Sequence, residues 1–210
     1  MTEPNWIVLI LSSALISALV NAIWNALSKY IDHKKETRKH QQKISHTYLA
    51  IANDLEVFAK KCDAQLYDIY DGLRERAEFH DERKLDNIGT VELDFSSNPD
   101  WQELPIKFVA EIKSLPTFFN TAHEWISSQW FAWADTEETF AFEEERLAYY
   151  GLIACKKAEN IREKLIKVQK GNTEEFENHF NEIIEKRREQ HIKNPDKSNL
   201  IPELHNHFKK

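Results

Sequence analysis

The sequence predicts an all-α protein, a single N-terminal transmembrane helix followed by an elongated antiparallel helical bundle with coiled-coil-like packing. Three observations predict it. Residues 7–27 form an apolar run without a charge. Beyond that run, apolar residues recur at alternating spacings of four and three, the heptad pattern of packed helices. The 210 residues hold only four glycines and six prolines, so turns are few and elements long.

The run IVLILSSALISALVNAIWNAL has 21 residues, about 30 Å of helix and the thickness of a bilayer's hydrocarbon core. Trp6 and Trp24 lie near its two ends, where spanning helices place aromatic rings. The leader MTEPNW has no lysine or arginine, unlike the start of a secretory signal peptide. After the run come Lys29, Lys34, Lys35, Arg38, Lys39 and Lys43, opposed only by Asp32 and Glu36. The positive-inside rule then puts the N-terminus outside and the remainder in the cytoplasm, as a single-pass protein of the cell inner membrane. On this reading Trp6, Trp24, Lys29, Lys34, Lys35, Arg38 and Lys39 meet the membrane interface, and the lipid bilayer is the first partner. The expected division is a short outer terminus (1–6), the transmembrane helix (7–28), a basic juxtamembrane segment (29–43), a cytoplasmic bundle (44–192) and a flexible tail (193–210).

In the bundle, Ile44, Tyr48, Ile51, Leu55, Phe58, Cys62, Leu66 and Ile69 make the stripe of a first long helix, ended by a break at Asp71-Gly72. A short helix over residues 73–86 follows. Residues 87–103 are rich in turn formers; VELDF alternates like a strand but stands alone, so the segment reads as a loop able to carry binding function. The next helix carries Leu104, Phe108, Ile112, Leu115, Phe119, Ala122 and Ile126, with a kink or short break expected at Pro116.

Asp135 or Thr136 caps the following helix, whose early acids suit the positive end of the helix dipole. Its stripe is Leu147, Gly151, Ala154, Ala158, Ile161, Leu165 and Val168, and its small residues let a neighbour approach. Gly171-Asn172 ends it, and Thr173 opens a last helix bearing Phe176, Phe180, Ile183 and Ile184.

Motifs of catalysis are missing from the sequence: no Gly-rich phosphate loop, no GxSxG, no HExxH, and no zinc or di-iron spacing. No catalytic residue, metal or cofactor is therefore assigned. Cys62 and Cys155 fall on apolar helix positions, as small buried hydrophobes do. Residues 44–210 carry a surplus of negative charge, which disfavours nucleic acid as a partner.

Trp125, Trp130, Phe131 and Trp133 lie within nine residues. With Trp101 they are the candidates for partner binding, against the plainer role of filling the core. The function these features point to is a membrane-anchored interaction or scaffold protein acting on an unidentified protein partner, self-associating if the stripes pair between copies. The alternative is a membrane-proximal hydrolase with its active site dispersed over the bundle.

Overall fold

The computed structural model describes residues 6–194 and 199–208, with side chains from Ser17 onward. Its helices are α1 (Trp6–Phe79), α2 (Arg83–Asp86), α3 (Ile106–Ala132), α4 (Thr136–Asn160), α5 (Glu174–Lys193) and α6 (Pro202–Phe208). A 3-10 turn, Trp101–Glu103, precedes α3, and a π-helical stretch, Ile161–Ile166, continues α4. The chain divides into two compact units, Met1–Ile44 and Ser45–Lys210.

In the first unit the transmembrane anchor has to be corrected. Among the described residues no helix is long and apolar enough to cross a membrane. The part of the apolar run with described side chains, residues 17–27, is about 16 Å of helix, roughly half a hydrocarbon core, and it includes Asn21 and Asn25. Residues 7–16 lie outside the described side chains, as does that of Trp6. The spanning helix is withdrawn, and with it the orientation, the inner-membrane location, the bilayer as a partner and both membrane-bound functions. Trp24, Lys29, Lys34, Lys35, Arg38 and Lys39 are exposed side chains of α1.

The second unit is a helical bundle. The α1 stripe from Tyr48 to Ile69 is buried as its spacing predicts, with Ile44, in the first unit, half-buried. Rings join the elements: Tyr48 meets Phe108, and Phe58 meets Phe119, both edge-on at 5.0 Å. Helix α4 packs against both α3 and α5. At Gly151 the α4 and α5 helices come close, where a Cβ would come within 2.6 Å of the Phe180 ring of α5. Asp135 caps α4 with a reciprocal capping box to Glu138.

Four local expectations are corrected. Helix α1 runs through Asp71-Gly72 without a break, because Gly72 serves contact rather than a turn: a Cβ there would sit 2.5 Å from Leu85 Cδ2 of α2. Helix α3 is continuous through Pro116, so there is no break there. The α4 stripe ends early. The π-helical turns widen the spiral and rotate the 3.5-residue pattern off the core, leaving Leu165 43% exposed; Lys167 then ends the helix with φ 54°, and Val168, beyond that end, is equally exposed.

The expected tail is also structured in part: Leu200, Ile201 and Leu204 are buried, and α6 follows. An apolar triplet that finds a groove gains enough burial to offset the ordering of a short segment. Loop 87–103, by contrast, contains no strand. Its Ser96 and Ser97 hydroxyls and the Ser97 N–H donate to Asp54, a buried α1 carboxylate.

Candidate functional site

Two kinds of feature stand out in the bundle, a set of buried acids on α4 and an exposed aromatic corner. The acids come from the run Glu143-Glu144-Glu145, which the sequence places at the positive end of the helix dipole, with Glu144 also expected, beside His123, Glu124 and Tyr149 or Tyr150, as polar lining of any cleft. Successive helix residues point about 100° apart, so the three reach three environments.

Glu143 accepts from Arg146 Nε at 2.5 Å and Nη2 at 3.0 Å, and lies 3.0 Å from His123 Nδ1. Arg146 also donates to the Phe119 carbonyl and lies 3.8 Å over the Phe119 ring, which ties α4 to α3. Burial pushes the Glu143 carboxyl up, but His123 and Arg146 outweigh it and hold it below the ordinary range.

Glu145 has no solvent exposure. It accepts from Arg187 of α5 and, through its other oxygen, from the Ile201 N–H at 2.8 Å. Burial pushes its carboxyl up to about 7 against the pull of those donors. Nearby, the Tyr150 hydroxyl donates to Glu203 of α6 at 2.9 Å. These bonds and the apolar triplet seat the C-terminal segment on α4.

The candidate partner residues separate into two groups. Trp125 is half-buried and packs edge-on against Phe142 at 5.2 Å. Trp101 is half-buried against Phe95, with the Lys113 ammonium 4.9 Å from its ring. Trp130, Phe131 and Trp133 instead end α3 at the surface, 48%, 86% and 49% exposed. The Trp133 indole N–H donates to Gln129 Oε1, which fixes its ring.

Beside this corner lies a cleft of about 330 Å³, lined by Leu85, Trp130, Phe140, Glu82 and Asp86 among others. Glu82 and Glu137 share a single cation, Arg76, so the corner's charged groups leave it acidic.

Both cysteines are buried, and burial pushes their thiols up, Cys155 to about 12, where a thiolate is scarce at neutral pH. Among the described residues no group of histidines, cysteines and acids is placed to hold a metal ion.

Sequence reasoning missed the structural role of Glu143 and Glu145. The one available signal was Arg146 three residues after Glu143, the spacing of a helix ion pair; nothing local marks Arg187 or Ile201 as partners of Glu145. Comparison of the chain with protein-family models, curated proteins and solved structures found no match, so its chemistry is argued from its own residues.

Proposed function

We propose that the bundle is a non-catalytic binding module, and that the corner at the end of α3 is its docking surface for a basic, amphipathic helix of another protein. The observation that carries this reading is the exposure of Trp130, Phe131 and Trp133 within four residues, with Trp130 lining a cleft. Single exposed aromatics are ordinary, whereas three large ones within four residues cost solubility and are characteristic of binding surfaces. The acidic rim of Glu82, Asp86 and Glu137 favours a partner whose apolar face is flanked by lysine or arginine. The commitment of Glu143 and Glu145 to structural bonds supports binding over catalysis, since neither is left to move a proton to a substrate. This reading needs no bilayer.

The test is fluorescence titration of the full chain with a labelled amphipathic helix of leucine and lysine, and with its leucine–glutamate counterpart. Micromolar binding of the basic peptide alone is expected, weakened about tenfold or more by Phe131→Asp. That variant adds negative charge, so attraction by charge alone would leave binding unchanged or tighter. Such a result, or equal binding of both peptides, would overturn the proposal.

A further inference from the structure

A second cleft, of about 430 Å³, opens between α1, α4 and α5 and is independent of the aromatic corner. Its size falls in the range of sites for small organic ligands. Tyr67 and Tyr70 of α1 line one side, and each is more than half exposed. His179 of α5 stacks on Tyr67 with centroids 4.9 Å apart and planes at 28°, and its Nδ1 lies 2.6 Å from Asp63 Oδ1, so the ring wall is held in place.

Glu144 of α4 also lines this cleft. Unlike its two neighbours, its carboxylate receives no hydrogen bond among the described residues. Burial pushes it above the ordinary carboxylate range, against the pull of Lys186, Arg187 and His179. A partly desolvated carboxylate left without donors gains from a cation brought beside it.

We propose that this cleft binds an organic cation, an alkylammonium or alkylguanidinium group, with its charge on Glu144 and its stem against Tyr67 and Tyr70. The balance of charge agrees. Glu182 adds a second negative group to the lining, and Asp71 a third, itself paired with Arg74 at 3.1 Å. Of the lining cations, Arg187 is given over to Glu145, which leaves Lys186. Tyr70 already accepts a cation on its ring, the Arg74 guanidinium 5.9 Å from the centroid. An anionic ligand would instead meet Glu144, Glu182 and Asp71 at close quarters.

The experiment is calorimetric titration of the full chain with agmatine, which carries both cationic groups on a four-carbon stem, and with butyrate as the anionic control. Tyrosine ring resonances are followed by NMR in the same samples. Agmatine is expected to bind with shifts confined to Tyr67 and Tyr70, and butyrate not to bind. Glu144→Gln and Tyr70→Ala are each expected to weaken agmatine at least about fivefold. Tyr70 is exposed, so its replacement leaves the core intact and keeps the test valid if the Glu144 variant misfolds. Failure of agmatine to bind, equal binding of butyrate, or an unchanged affinity in Tyr70→Ala would overturn the site.

Discussion

Arg187 places Nε and Nη2 each 2.6 Å from Glu145 Oε1, joining α5 to a carboxylate with no solvent exposure. The other oxygen of that carboxylate holds the backbone of Ile201. One buried acid therefore secures two elements that are distant in sequence.

Removing the cation should cost more than the bond is worth, because Glu145 would remain buried without its partner. Arg187→Ala is expected to destabilise the bundle by about 3 kcal/mol. Urea denaturation followed by circular dichroism measures it. A double replacement, Glu145→Leu with Arg187→Leu, should recover much of the loss, since it leaves no charge uncompensated.

The three glutamates act on stability in opposite directions and in different pH windows. Glu145 and Glu144 have folded values raised above the ordinary 4.5, so what they contribute is present below 4.5 and is lost as pH rises, for Glu145 through about 7. Glu143 is lowered, so its contribution is present above 4.5 and is lost as pH falls through its folded value. Unfolding free energy from these groups should therefore peak near pH 5, with Glu145→Gln flattening the decline toward about pH 8. Denaturation midpoints measured across this range check it; a decline of equal slope in the variant would refute it.

Gly151 tests the packing of α4 on α5. An added methyl group would lie 2.6 Å from the Phe180 ring, which has no solvent exposure. Although alanine is the better helix former by about 1 kcal/mol, Gly151→Ala should destabilise by about 1–3 kcal/mol. Adding Phe180→Leu should relieve part of that cost. Thermal unfolding of the three variants separates packing from helix propensity.

The helical stripes were legible because burial in a bundle follows the period of the helix. Ile51 to Ile69 on α1, and Ile112 to Ile126 on α3, are buried at the positions their spacing indicates. Asp135 was legible as a cap for the same local reason, since its acceptor serves an N–H three residues away. Leu165 was misread because the change to π geometry is invisible to a repeat that assumes constant pitch, and Val168 because the helix ends at Lys167 before reaching it. Gly72 was misread because a glycine that frees a turn and one that admits a neighbouring side chain look alike in sequence.

The acid run shows the boundary most directly. Its letters do not say that Glu143 meets His123, that Glu144 faces a cleft and that Glu145 grips Arg187. The aromatic segment is similar: Trp125 turns inward onto Phe142, while Phe131, six residues on, is the most exposed of the group.

By itself the sequence determined the all-α class and the inward faces of α1, α3 and most of α4, because those depend on periodicity and on bonds within a few residues. Only the tertiary structure decided which acids are spent on structure, which aromatics remain at the surface and how residues 200–208 are held. Those outcomes depend on groups brought together across the chain, and desolvation acts on a side chain according to what surrounds it in space.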